Sequence, residues 1–130
     1  MSIEKAIFEE IKNDEELGDL LREEEGRYNL YPLEIPTDVM PTKAIKYSEV
    51  TTTETYPMAG SSVFQFTCIA GSYEDAQELA RNVIRVFNNR KFWKIGGDYF
   101  VNYTKFETKT SFRNTETGNV IVPVEVFIKY

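Results

Sequence analysis

The order of hydrophobic and polar residues predicts two strands in the first half of the chain. Within Lys43–Val50, Ile45 and Tyr47 fall on one side, and Lys46 and Ser48 fall on the other. This period of two is typical of a half-buried strand. Residues 63–70 repeat the period, and their apolar side consists of Phe64, Phe66, Cys68 and Ala70. Residues 51–62 are rich in Thr, Ser and Gly, which predicts a long hairpin loop between the two strands.

After Gly71 the pattern changes to that of a helix. Ser72 stands at the N-cap position and Asp75 follows three residues later, an arrangement similar to a capping box. An apolar stripe at helical spacing follows, made of Ala76, Leu79, Ala80, Val83, Ile84 and Phe87. The predicted polar side holds Gln77, Glu78, Arg81, Asn82 and Arg85. Asn88 and Asn89 are candidate C-cap residues, so the pattern predicts a long helix packed on a sheet.

Shorter elements are predicted before the first strand. Residues 2–11 carry an apolar helical stripe, and residues 16–22 predict a second short helix or a kinked continuation of the first. Residues 27–36 contain Pro32 and predict an extended edge element, because proline is confined to sheet edges and bulges. Residues 38–41 predict a turn.

The last part of the chain predicts strands and turns. Residues 91–95 form a short apolar segment before the turn at Gly96 and Gly97. Residues 99–113 predict one long strand, and its apolar residues shift from odd to even positions, which indicates a bulge near 104–106. A hairpin turn over 114–119 leads into a strand with valines at alternate positions, in which Pro123 predicts an edge or a bulge.

These elements predict one α+β domain over residues 1–130. The N-terminal helix and the long central helix are expected to pack on a mixed, mainly antiparallel sheet with a long hairpin loop. A chain of this length can bury a core of its own without disulfides or metal.

Charge is distributed unevenly along the chain. The net charge is −6, yet residues 1–25 contain ten acidic and three basic residues and so carry −7. Binding to nucleic acid without sequence preference depends on Lys and Arg, so this balance disfavours a DNA-binding module. Two interpretations of the acidic N-terminal helical region stay open. Its acidic side chains form a solvent-exposed helix face, or they line a DNA channel and repel the DNA.

The chain lacks the residues of most catalytic and metal sites. It has no His and one Cys, which excludes His-dependent catalytic triads and leaves no zinc ligand set. Cys68 lies on the apolar side of a predicted strand and is expected to be a small buried hydrophobe. With no signal peptide and no apolar run near ~18 residues, the chain is expected to be soluble, intracellular in origin and without membrane contact.

One weak catalytic pattern is present. Asp98, Glu107 and Lys109 are faintly similar to the Asp…Glu-x-Lys pattern of metal-dependent nucleases, in which carboxylates hold Mg²⁺ and the lysine assists the attacking water. Alternation along the strand would place Glu107 and Lys109 on the same side. Opposite charges at this spacing are also common on exposed strands, where they pair across the sheet.

The order of these elements resembles the tail-completion or tail-terminator proteins of long-tailed bacteriophages. The resemblance covers nearly the whole chain and is carried by an N-terminal helix, the Tyr-Pro segment 31–36, the strand at 44–47, the long loop, residues 73–87 and a closing hairpin that ends at 126–130. It implies a non-enzymatic hexameric ring that caps the tail tube and joins it to the head. The implied partners are other copies of the chain, the tail tube protein and a head-side connector or stopper protein, with DNA passing through the lumen without specific binding.

The resemblance also implies a location and leaves alternatives open. Such a protein would be made in the host bacterial cytoplasm and would reside in the tail or neck of the virion, without cofactor or metal.

The small polar residues of the loop are interrupted by Tyr56, Pro57 and Met58. These three residues are the candidate assembly contact, although they could equally fold back on their own core. The alternatives are the small Mg²⁺-dependent nuclease and a generic intracellular binding module.

Overall fold

The computed structural model describes residues 2–23, 26–35, 43–50 and 61–130. These residues form three helices and seven strands, in the order α1 (Ile3–Asn13), α2 (Glu15–Leu21), β1 (Leu30–Pro32), β2 (Lys43–Val50), β3 (Ser61–Ala70), α3 (Tyr73–Phe87), β4 (Arg90–Ile95), β5 (Tyr99–Lys109), β6 (Phe112–Arg113) and β7 (Val120–Lys129). The α+β prediction is therefore confirmed.

All seven strands belong to one sheet. The strand order is β1-β2-β3-β7-β5-β4, and β6 also pairs with β7. Every pairing is antiparallel except that of β1 with β2. The outer strands are thus β1 and β4, and the edge position predicted from Pro32 is confirmed.

The helices begin where short polar side chains cap them. Ser2 accepts a hydrogen bond from the Lys5 amide, and Ser72 accepts one from the Asp75 amide, both at 3.2 Å. Asp14 separates α1 from α2, accepts from the Leu17 amide at 3.1 Å and forms an ion pair with Arg85 of α3. The backbone N–H of Asp14 donates to the carbonyls of Glu10 and Ile11 at the end of α1, whereas its carboxylate caps α2 and ties it to the long helix.

The core lies between the helices and one face of the sheet. Phe64, Phe66 and Phe87 are fully buried and form its centre, with the ring centroids of Phe66 and Phe87 5.1 Å apart. The alternate valines of β7 face the same side, as their register with β3 requires. The predicted inward positions of β2 and β3, including Ile45, Tyr47 and Cys68, are buried.

Two side chains predicted on the polar side of α3 are mostly buried. Gln77 and Asn82 are 9% and 8% exposed. The Gln77 carbonyl oxygen accepts a hydrogen bond from Lys109 at 2.9 Å, and Asn82 donates to the Glu78 carbonyl and accepts from Arg85. These partners allow polar side chains to lie at the rim of the helix–sheet contact.

The predicted single strand over 99–113 is wrong in one respect. The chain leaves the strand at residues 110–111, so β5 and the short β6 pair with β7 as two strands. The predicted irregularity is present, since the register between β5 and β7 shifts between Phe106 and Thr108.

Of the two alternatives predicted from Pro123, an edge or a bulge, the edge is wrong, because β7 lies between β3 and β5 at the centre of the sheet. The Pro123 carbonyl accepts from the Thr110 amide at 3.3 Å. In an extended strand the N–H and C=O of one residue point to the same side. The nitrogen of Pro123, which has no hydrogen to donate, therefore faces the break between β5 and β6. The ladder is already interrupted there, and a central proline is tolerated.

Candidate assembly surfaces

Of the loop predicted over residues 51–62, Ser61 and Ser62 instead belong to β3. Residues 51–60, with the candidate contacts Tyr56, Pro57 and Met58, lie outside the residues that the structure describes. Its flanking strands β2 and β3 pair antiparallel along their whole length, from Lys43 with Ala70 to Val50 with Val63. The hairpin that would present the loop is therefore in place.

The three residues of the nuclease pattern do not come together. Asp98 precedes β5 and Glu107 lies near its far end, so at ~3.3 Å per residue the two are separated by about 30 Å. Lys109 donates to Gln77 on α3, and all three residues are exposed. No group of three His, Cys, Asp or Glu side chains among the described residues could hold a metal ion.

Cys68 is fully buried on β3, as predicted. Burial raises the pKa of its thiol, and the charge of Lys109 opposes this shift. A buried thiol of this kind is a packing residue without nucleophilic reactivity.

Two surface grooves of about 480 Å³ each flank α3. One lies between α2 and α3 and is lined by Glu16, Asp19, Arg81 and Arg85, and the other extends past Tyr73 to Lys109. Their lining is dominated by exposed charged side chains of both signs, which suits polar contact with another macromolecule better than enclosure of an apolar small molecule.

The outer strand β4 presents a basic and aromatic surface, here called the basic edge (Arg90–Ile95 with Phe100). Phe92 is 71% exposed and Phe100, on the neighbouring strand, is 52% exposed. Lys91 and Lys94 form no ion pair with any residue that the structure describes. Arg90 stacks over the Trp93 ring at 3.6 Å and thereby covers the buried side of the strand.

The backbone of the basic edge is strained at its most exposed large hydrophobic residue. Phe92 has φ +52°, a left-handed conformation that residues other than Gly, Asn and Asp rarely adopt. Trp93 and Ile95, beyond it, are buried, whereas Arg90 and Lys91, before it, are exposed. The left-handed residue changes the direction of the side chains along the strand.

The other outer strand, β1, and the segment that leads to it from α2 are here called the β1 surface (residues 15–23 and 26–35). The surface contains five acidic and two basic residues, and three of the acidic residues lie on α2. Leu33 ends β1 with φ +69° and is 72% exposed, and the exposed Glu34 follows it. The Leu33 amide donates to the Tyr47 carbonyl at 2.9 Å, which fixes the residue against β2.

A third surface lies on the sheet face opposite the helices. The register places Ile69, Ile121 and Phe112 side by side across β3, β7 and β6. Ile69 and Ile121 are half-buried and Phe112 is 54% exposed. No described helix is long and apolar enough to cross a membrane.

Comparison with known proteins finds a likeness in fold but none in sequence. No family model matches the chain, and no curated protein matches its sequence. The fold is similar to that of a chain in the solved virion of a native gene transfer agent (GTA) particle, with a TM-score of 0.66. The match covers 98% of this chain and 93% of that chain at 13% identity. At this identity the likeness shows a shared fold.

The edge position of β1 was predicted from Pro32, whereas the basic edge at β4 was not predicted from the sequence. The cluster of Arg90, Lys91 and Lys94 is visible in the sequence and could have indicated the basic edge. The left-handed conformations of Leu33 and Phe92 carry no sequence signal, because neither residue type favours positive φ.

Proposed function

We propose that this protein is a structural subunit of a phage-like particle. In this role a single 130-residue domain caps the tail tube, joins the tail to the head and assembles as a hexameric ring around the DNA channel. The observation that carries the proposal is the fold likeness to a virion chain over nearly the whole length of both proteins. The sequence resemblance to tail-completion proteins supplies the specific position in the particle.

The surfaces of the molecule support a role in assembly. A ring requires two different contact surfaces on each subunit, and the sheet offers two different outer strands, the basic β4 and the uncharged β1. The residues of the nuclease pattern are far apart, which favours a structural role over catalysis. The acidic N-terminal segment suits a channel through which DNA passes without binding.

The proposed partners follow from this position. The ring would contact the tail tube protein on one side and a head-side connector or stopper protein on the other, and the subunit would pass from the host bacterial cytoplasm into the neck of the virion. The loop with Tyr56, Pro57 and Met58 is proposed to contribute to one of these contacts.

Electron microscopy of lysates tests the proposal. The gene is deleted in the source phage or prophage and then restored on a plasmid. We expect the deletion to give filled heads beside unattached or overlong tails, and the plasmid to restore joined particles. Normal virions in the deletion strain would contradict the proposal and favour the generic binding module.

A further inference from the structure

The sheet face opposite the helices, here called the open face, carries more basic than acidic residues. Side chains paired across neighbouring strands lie on the same face, and successive residues of a strand lie on opposite faces, so the register assigns each charged residue to a face. The open face has five lysines and one glutamate, which are Lys46, Lys91, Lys94, Lys105, Lys129 and Glu125. The balance stays positive when Glu107, at the bulge of β5, is counted as well.

Three of these lysines lie close together on β4, β5 and β7. Lys91, Tyr103 and Lys129 form one row across the three strands, and Lys105 lies two residues from Tyr103 on β5. Since neighbouring strands are ~4.8 Å apart, the Cα atoms of Lys91 and Lys129 are separated by about 10 Å.

A fourth lysine adds an aromatic neighbour to this group. Lys94 on β4 pairs with Phe100, whose side chain is 52% exposed. The four exposed lysines are here called the lysine corner (Lys91, Lys94, Lys105 and Lys129). None of them forms an ion pair with any residue that the structure describes. The lysine corner thus combines uncompensated positive charge with an exposed aromatic ring.

Helix α2, on the other side of the sheet, carries the opposite charge. Its charged residues, here called the α2 acids (Glu15, Glu16 and Asp19), are all exposed. Neighbouring charges do not cancel them: residues 14–23 and the charged α3 residues of the α2–α3 groove comprise six acidic and three basic residues, a net charge of −3. Leu20, which is half-buried, lines the same groove and adds apolar surface beside the acids.

The lysine corner and the α2 acids cannot meet within one copy. The ion pair of Asp14 with Arg85 ties α2 to α3, and α3 packs through Phe87 on the buried face of the sheet. A helix is ~10 Å in diameter, so the helix layer and the sheet together separate the α2 acids from the open face. Each surface therefore has its complement only on another molecule.

The composition of the lysine corner favours a protein helix over DNA as its partner. A duplex would offer phosphates to the lysines but little apolar surface to Phe100, because its bases are stacked inside. The net charge of −6 also opposes binding to a polyanion. Helix α2 offers both kinds of contact, carboxylates for the lysines and Leu20 for the aromatic ring.

We propose that the lysine corner of one copy docks on helix α2 of a second copy, with the lysine amines against the α2 acids and Phe100 beside Leu20. The contact is heterologous, because it joins two different surfaces, and repetition by rotation can close it into a ring. The inference rests on the proposed function and deepens it, since it names the surfaces through which the proposed ring forms. The other acidic residues of 1–25 stay outside the contact and can line the DNA channel.

Zero-length cross-linking of the unmodified chain tests the contact. A carbodiimide joins a lysine amine to a carboxylate only where the two groups touch. Joined particles and the concentrated purified chain are both treated, and the linked peptides of the dimer bands are identified by mass spectrometry. We expect dimer links between the lysine corner and the α2 acids. Lys43 and Asp75, 4.0 Å apart within one copy, supply the internal control, because their link should form in every sample.

Two outcomes of this experiment overturn the contact. The first is a set of samples in which the Lys43–Asp75 link forms, while no dimer link joins the lysine corner to the α2 acids in either preparation. The second is protection of the lysine corner from acetylation in particles that disappears after nuclease treatment, which would show that DNA covers it.

Exchange of the charges supplies a test that a folding defect cannot imitate. Lys105→Glu with Lys129→Glu should lower the number of joined particles in the complementation assay towards that of the deletion, and so should Glu15→Lys with Asp19→Lys. The four substitutions together restore attraction with the signs exchanged, so joined particles should return. A quadruple variant that folds with the Tm of the parent and fails to complement would contradict the contact.

A control of equal net charge shows whether position matters. Lys105→Glu and Lys129→Glu are combined with Glu34→Lys, beyond β1, and Glu116→Lys, in the exposed turn between β6 and β7. This variant should stay at the level of the Lys105→Glu and Lys129→Glu pair. Its recovery would show that net charge, not the proposed contact, decides assembly.

The two proposals can fail separately. Joined particles that depend on the gene, without the expected links, would leave the head–tail role standing and remove the contact. The expected links in the purified chain, from a gene whose deletion leaves virions normal, would leave the contact standing and remove the head–tail role.

Discussion

At the residue scale, Tyr47 connects the sheet to the first helix through its hydroxyl. The side chain is 3% exposed, and its hydroxyl donates to the Glu4 carbonyl at 3.1 Å. The ring also stacks near Phe66, with centroids 6.1 Å apart. A phenol held in this way must stay protonated, because a buried phenolate would lose both its hydration and its hydrogen bond to a carbonyl.

Burial, with a smaller contribution from the charge of Glu4, raises the pKa of Tyr47 from 10.0 to about 12. Folding therefore favours the protonated phenol, so this contribution to stability is complete below pH 10 and is lost as the pH rises towards 12. We expect the denaturant midpoint to fall across this interval. Tyr47→Phe should cost about 1 kcal/mol at neutral pH from the lost hydrogen bond, and its stability should decline less steeply above pH 10.

The exposed Tyr73 supplies the matched control. Tyr73→Phe should keep the alkaline slope of the parent chain, because the Tyr73 side chain is 57% exposed and the substitution leaves the buried core unchanged. Burial also raises the pKa of Tyr130, so the Tyr47→Phe variant should still lose some stability at alkaline pH. Identical slopes for Tyr47→Phe and the parent would show that Tyr47 does not carry the effect.

At the element scale, the turn between β4 and β5 fixes the position of α1 on the sheet. Gly96 has φ +64°, and a Cβ there would lie 2.6 Å from the Ala6 carbonyl oxygen of α1. Its amide donates to a Glu10 carboxylate oxygen at 2.9 Å. Gly97 has φ +84° but open space around it. Two adjacent glycines thus share a strained backbone and differ in whether a helix lies against them.

This difference predicts unequal costs for the two alanine substitutions. Gly97→Ala should destabilise the chain by roughly 1 kcal/mol, because only the positive φ is penalised. Gly96→Ala should cost several times more, about 3 kcal/mol or above, since α1 must also move away from the turn. Chemical denaturation of the two variants measures both costs. Equal destabilisation would show that α1 is not held closely against Gly96.

The elements differ in how well the sequence predicted them. Residues 43–50 and 73–87 were predictable because local periodicity and the Ser72 cap agree with the tertiary contacts. The break at residues 110–111 and the central position of β7 depend on which strands pair, and neither has a local signal. The edge position of β1 was predicted from Pro32, but the exposure of Leu33 and Phe92 was missed, because it arises from backbone conformation and sheet order, which the residue types alone do not encode.

At the scale of the whole molecule, acidic and basic residues are concentrated on different elements. Helix α2 contains three acidic residues and no basic one, whereas the outer strand β4 contains three basic residues and no acidic one. The sequence allows two interpretations of the acidic residues in 1–25: they form a solvent-exposed helix face, or they line a DNA channel and repel the DNA. The structure adds that Glu15, Glu16 and Asp19 are exposed on α2, where they can act on a passing polyanion.

We predict that the purified chain binds a short DNA duplex with a Kd above about 10⁻⁴ M at physiological salt. This affinity is weaker than that of usual non-specific binding to DNA. Fluorescence anisotropy of a labelled duplex measures this, together with its dependence on salt. Glu15→Gln combined with Asp19→Asn removes two negative charges without changing side-chain size. If the acidic helix repels DNA, this variant binds more tightly at low salt and the difference disappears at high salt. If the helix is only a solvated face, both chains behave alike. Tight, strongly salt-dependent binding by the unmodified chain would contradict passage of DNA through the ring without attachment.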